Sequence, residues 1–239
     1  MASDVVDLRD FYRSALGQVA RRMIRRAIQR VWPDLRGMRL LGIGYATPFL
    51  SALSPATERT IAVMPATLGV LRWPSEGGNL VTLAEEGELP FADYSIDRVV
   101  LVHAIETSDE VRAMLKEIWR VLAGGGRVLV VAPNRRGIWA RLDRTPFGSG
   151  RPYTMSQLSQ LLRDEQFTPI GSDTALFIPP ATSRVMLRSA AAWERIGKRW
   201  FPTFAGVLMV EATKQIYAKP AAARAPRRRL VYTPAPHGL

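Results

Sequence analysis

The chain has no cysteine among its 239 residues. That excludes disulfides, thiolate zinc sites, iron–sulfur clusters and cysteine nucleophiles. Histidine is almost as scarce, with only His103 and His237 far apart in sequence, so no metal centre is expected. Lysine numbers 4 against 29 arginines. No apolar run approaches the roughly 20 residues that span a bilayer. The opening MASDVVDLRD carries acids where a signal peptide needs a basic start. A cytoplasmic protein is the expectation. What is present, 47% hydrophobic and 23% charged residues, suits a globular chain with one sizeable core.

The net charge of +12 sits at the two ends. Residues 1–39 hold nine arginines and four acids, and residues 219–239 hold Lys219, Arg224, Arg227, Arg228 and Arg229 with no acid. Each end therefore contributes +5, and residues 40–218 only +2. A nucleic-acid binder concentrates basic residues on its folded body. The ends read as solvated, with RNA or an acidic membrane surface as the lesser alternative.

Apolar residues at three- and four-residue steps, from Val5 through Leu8, Tyr12, Leu16, Val19 and Met23 to Ala27, predict one amphipathic helix over 4–31. Ser3 is placed to cap it and Trp32-Pro33 to stop it. Nearly unbroken apolar runs follow at 38–43, 59–64, 79–83, 97–102 and 127–132, as strands buried on both faces require. Between them lie helix-like segments at 48–53, 65–72 and 108–122, the last with Ser108 as cap and Gly124-Gly125-Gly126 as terminator. The irregular stretch 134–153 is long enough to be a binding loop and carries Trp139, Phe147 and Tyr153. Thr154 and Gln157 form a capping-box pattern opening a helix to about Leu162. A strand near 167–178, a helix near 183–199 and a final strand over 205–218 complete the pattern. Such alternation implies a doubly wound, mostly parallel sheet. The division expected is a helical 1–36, an α/β domain over 37–218 and a disordered basic tail over 219–239.

Gly42 and Gly44 directly follow the first strand. Doubly wound folds bind ligands at that carboxyl edge, although a tight turn explains the glycines equally well. The wider context is more specific. Glu85-Glu86-Gly87-Glu88-Leu89-Pro90-Phe91, then Asp97-Arg98-Val99-Val100, then Arg120-Val121-Leu122-Ala123-Gly124-Gly125 closely resemble the type 11 group of class I S-adenosylmethionine-dependent methyltransferases. The resemblance implies a Rossmann-like sheet of seven strands, the last antiparallel and inserted beside the fifth. It also implies S-adenosyl-L-methionine as cofactor.

By that resemblance Gly42, Gly44 and Tyr45 lie along the methionine part of the cofactor, Met64 at the ribose position and Glu85 at the adenine position. His103 lies beside the transferred methyl and is the one candidate for acid–base chemistry. Beside each reading stands a plainer one: Tyr45 as a core aromatic, Glu85 as a surface acid, His103 as a strand-end histidine. Leu40 and Met64 stand where the family keeps acids, and Ala46 replaces a loop glycine. A lost ribose acid costs charge-assisted hydrogen bonds of about 1.5–3 kcal/mol each. On that reading Met64→Asp would restore an acceptor and tighten binding. The absence of N-P-P-Y tilts the acceptor towards a small molecule. The alternative is a catalytically impaired relative serving as a regulatory or binding protein.

Overall fold

The apolar runs form one seven-stranded sheet. The computed structural model describes residues 4–181 and 183–215, so the tail at 219–239 and the cap at Ser3 lie outside the described residues. The strands are β1 (Arg39–Gly44), β2 (Arg59–Pro65), β3 (Val81–Ala84), β4 (Ile96–Val102), β5 (Leu122–Pro133), β6 (Phe167–Ala175) and β7 (Val207–Lys214). Their order is β3-β2-β1-β4-β5-β7-β6. The first five are parallel, and β7 runs antiparallel between β5 and β6. The final strand thus stands where the sequence places it.

The unbroken apolar character of the runs has the expected cause. In β4, Val100 and Val102 face one core while Val99 and Leu101 face the other. In β5, Leu129 and Val131 oppose Val128 and Val130 in the same way. One core is covered by α1 (Val5–Arg13) and α2 (Ala15–Val31), the other by α4 (Val111–Val121) and α5 (Met155–Asp164). A short α3 (Thr47–Leu50) follows β1, and α6 (Arg184–Arg188) and α7 (Ala190–Trp200) precede β7.

Several local expectations change. The predicted 4–31 helix is two helices broken at Ser14, whose side chain caps α2 by accepting from Gly17 N–H at 3.0 Å. A Cβ on Gly17 would lie 1.9 Å from the Phe11 carbonyl oxygen, so glycine lets the end of α1 fold tightly onto α2. The apolar stripe continues across the break, which is why periodicity does not reveal it. Asp4 caps α1, accepting from Val6 and Asp7 N–H at 2.8 Å each. The segment 65–72 is not helical. Ser108 does not sit at the cap of α4 but accepts from Glu110 N–H just before it. Gly124–Gly126 belong to β5 rather than to a helix terminus. Thr154 and Gln157 do close a capping box on α5. The predicted helix at 183–199 is split into α6 and α7 by Ser189.

The placement of α1 matters most. Val5 N–H donates to Leu68 O, just beyond β2, at 3.0 Å. Tyr12 reaches residues beyond β1 and β4, and Phe11 packs on Phe147 beyond β5. From β2 to β5 are three strand spacings of ~4.8 Å, or ~14 Å. A helix of nine residues rising ~1.5 Å per residue is ~13.5 Å long. Helix α1 therefore lies across the carboxyl edge of four adjacent strands.

Candidate active site

Four strands deliver their following residues to this edge, and the buried polar groups there form one chain. Tyr12, from α1, places its hydroxyl 2.7 Å from His103 Nε2. His103 Nδ1 lies 3.1 Å from Glu106 Oε1. All three side chains are buried, and Glu106 Oε2 is enclosed with no hydrogen-bond partner. With Glu106 a carboxylate, Nδ1–H donates to it, which leaves Nε2 to accept from the Tyr12 hydroxyl. Burial first, and then the charge of Glu106, pushes the Tyr12 phenol well above its ordinary range. It stays a neutral donor. His103 holds this position at φ +50°, an uncommon conformation for a residue other than glycine and one that gathers at functional sites.

Aromatic rings enclose the chain. Tyr45 stacks on Tyr12 with centroids 5.8 Å apart, and Phe49 meets Tyr12 edge-on at 5.6 Å. Phe147 lies 5.0 Å from the His103 ring and is itself held by Trp139 and Phe11. Trp139 donates from Nε1 to Ile178 O, so it is a packing residue, whereas Phe147 touches the histidine directly. Tyr153 donates to Ile105 O at 3.3 Å, and burial raises its phenol pKa.

The remaining residues singled out by sequence divide sharply. Gly44, at φ +81°, is demanded by backbone: a Cβ there would lie 2.4 Å from Val102 O. A Cβ on Gly42 would lie 2.6 Å from the Leu50 side chain. Met64 is fully buried, and its sulfur accepts from Leu71 N–H at 3.4 Å. Gly42, Gly44, Tyr45, Met64 and His103 thus gather at the edge, whereas Glu85 is exposed. Its neighbour Glu86 instead accepts from the Ser108 hydroxyl, and burial raises the Glu86 pKa. Sequence reasoning missed Tyr12 and Glu106. Tyr12 reads as one more core residue on an amphipathic stripe. Glu106 had a signal, an acid three positions beyond the only histidine in the cleft.

A cavity of about 540 Å³ opens beside α1, lined by Asp7, Asp10 and Phe11 together with Asp143, Thr145 and Pro146 of the 134–153 loop. Phe11 in its wall packs on Phe147, 6.0 Å between centroids, and Phe147 in turn touches the His103 ring. The described residues hold no cluster suited to a metal ion, and none of their helices is long and apolar enough to cross a membrane.

Comparison with known proteins is consistent with this frame. A type 11 family model described as a methyltransferase domain matches residues 41–130. The ubiquinone/menaquinone biosynthesis C-methyltransferase UbiE of Rubrivivax gelatinosus is 25% identical over 207 residues, 84% of this chain and 80% of that protein. A methyltransferase structure from Thermotoga maritima, described as a possible histamine N-methyltransferase, aligns with a TM-score of 0.66 at 18% identity, covering 88% of this chain and 96% of the other. The 1,6-didemethyltoxoflavin-N1-methyltransferase of Burkholderia thailandensis, determined with S-adenosylhomocysteine, aligns at 0.51 and 16% identity over 84% and 78%.

For S-adenosyl-L-methionine, the cofactor that the resemblance implies, the edge of the sheet beyond β1 and β4 is covered by α1 in this arrangement. Tyr45 and Phe49, just after the glycine turn, are buried and pack on the buried Tyr12 ring. Met64, which the resemblance alone sets at the ribose, is a fully buried thioether. The arrangement is that of a closed cleft.

Proposed function

From a chain that carries the methyltransferase domain of the type 11, S-adenosylmethionine-dependent group, we propose methyl transfer to a small-molecule acceptor, with α1 as a lid that lifts to admit both partners. The observation that carries this is the Tyr12–His103–Glu106 chain at the end of β4. The cofactor, when bound, supplies a methyl group on a sulfonium.

The chain's own residues have three tasks. His103, freed of Tyr12, offers Nε2 to an acceptor hydroxyl or amine that must lose a proton, and Glu106 holds the ring and stabilises its charged form. Phe147, Tyr45 and Phe49 exclude water around that nitrogen. The 540 Å³ cavity beside Phe11 is the entry for the acceptor. Gly42, Gly44 and Tyr45 form the floor that lid opening exposes, and Glu85 remains the proposed contact for the adenine.

The test is calorimetric titration of the wild-type chain with S-adenosylhomocysteine, with hydrogen exchange followed over residues 5–13. Binding accompanied by faster exchange in α1 is expected. No binding by either the wild type or Tyr12→Phe would overturn the reading in favour of a non-catalytic relative.

A further inference from the structure

Helix α7 is built inside out. Its inner face carries Ala190, Glu194 and Gly197, where a Cβ on Gly197 would lie 2.5 Å from the Phe177 side chain. Glu194 is turned inward, accepting from the backbone N–H groups of Leu176 and Phe177 at 3.1 and 3.0 Å. The large apolar residues face out instead. Trp193, Ile196 and Trp200, spaced i, i+3 and i+7 on one stripe, are 38, 51 and 68% exposed. Phe201 and Phe204 follow directly past the helix end, 56 and 55% exposed, and Val185 on α6 is 79% exposed. A helix that hides small residues and displays tryptophans is not finished by its own domain.

The charges carried by α6 and α7 themselves are mostly of one sign. Residues 184–204 contain Arg184, Arg188, Arg195, Lys198 and Arg199, and their single acid is the inward Glu194. The Arg199 guanidinium sits 5.8 Å over the Trp200 ring, and Lys198 is held by Asp173 at 2.5 Å.

We propose that α6, α7 and the turn at 202–204 seat this protein on an anionic bilayer surface, with the aromatic rings at headgroup depth and the basic residues on lipid phosphates. Amphipathic aromatic rings favour that interface, and flanking arginines gain from its negative potential. A second copy of the chain fits poorly. A two-fold interface would set the patch against itself and bring its four arginines onto the same four of the other copy. A protein partner would call for about one hydrogen bond per 100–200 Å² of contact, and the stripe offers few polar groups besides its charges. A fluid bilayer needs none. Leu187 of α6 also lines the 540 Å³ cavity, so the proposed seat adjoins the proposed acceptor entry. The surface proposal stands without that entry.

The test uses the full chain with phosphatidylglycerol–phosphatidylcholine vesicles and with phosphatidylcholine alone. Flotation with the anionic vesicles only, weakened by salt, is expected, together with quenching of tryptophan emission by brominated acyl chains. Trp200→Glu combined with Phe204→Glu should lower partitioning more than tenfold while the melting temperature stays unchanged, because both side chains are exposed. Trp193→Phe with Trp200→Phe should keep binding and lose most of the quenching. Unchanged binding by the Glu variant would assign the lipid affinity to the basic termini and overturn the proposal. So would failure of the wild type to float, or a concentration-dependent dimer that the Glu variant abolishes.

Discussion

The Tyr12 hydroxyl lies 2.7 Å from Nε2 of His103, although 91 residues separate them in sequence. One end of this bond belongs to a surface helix and the other to the end of a central strand. The lid motion proposed above requires this bond to break.

Tyr12→Phe keeps the ring and removes the bond. It leaves a buried ring nitrogen unpaired, so global stability should fall by about 1–3 kcal/mol. The same loss weakens closure of α1, and binding of S-adenosylhomocysteine should tighten by up to about tenfold for each 1.4 kcal/mol removed from the closed state. Chemical denaturation and calorimetry read the two effects. A variant that loses stability and also binds more weakly would show that Tyr12 contacts the ligand rather than competing with it.

Gly44→Ala is expected to act on folding before binding. The new methyl group would stand 2.4 Å from Val102 O at a backbone φ of +81°. The left-handed conformation alone costs a side-chain-bearing residue about 1–2 kcal/mol, and the clash adds to it. A melting temperature equal to wild type would contradict this packing.

Met64→Asp should destabilise and bring no gain in affinity. The thioether is fully buried in the core beneath α1 and α2. A carboxylate there has no cationic partner, and an uncompensated buried charge costs on the order of 3–5 kcal/mol. Thermal melting with and without S-adenosylhomocysteine checks both parts. Tighter binding would mean that lid opening solvates this position and that the lost ribose acid can be restored.

Asp97 gives a pH dependence of definite sign. Arg39 donates to it from the backbone N–H and Nε at 2.9 Å each and from the guanidinium tip at 3.1 Å. Chiefly through that side-chain hydrogen bond, its carboxyl titrates below the usual carboxylate range. Its stabilising contribution is therefore full above the unfolded value, about pH 4, and disappears as pH falls through the lower folded value. Asp97→Asn should cost about 1 kcal/mol at neutral pH, small because the pair is partly exposed. The difference from wild type should shrink as pH falls through the lowered folded value, as denaturation over a series of pH values from 7 downwards would show.

The sheet was legible because its strands are buried on both faces. Runs such as Val99–Val102 and Val128–Val131 leave few other placements for so much apolar surface. The insertion of β7 beside β5 came from the family resemblance, not from periodicity. The broken N-terminal helix was hidden because Leu8 and Tyr12 before Ser14 and Leu16 and Val19 after it keep one stripe. Site residues split along similar lines. His103 stood out as a lone titratable group after a strand, whereas Tyr12 is chemically special only through a contact 91 residues away. The outward stripe on α7 was invisible for a related reason. Its amphipathic pattern is ordinary, and only the tertiary contacts of Glu194 and Gly197 reveal which face points in.

The position of β7 sets a timetable for synthesis. The strand that covers β5 begins at Val207, 74 residues after β5 ends at Pro133, and β6 pairs with that same late strand. At translation rates of roughly 5–20 residues per second, about 4–15 s pass between emergence of the two segments. During that interval Val128–Val131 form an open, apolar strand edge on the nascent chain. Until the last strand arrives, protection of that edge falls to whatever binds the growing polypeptide.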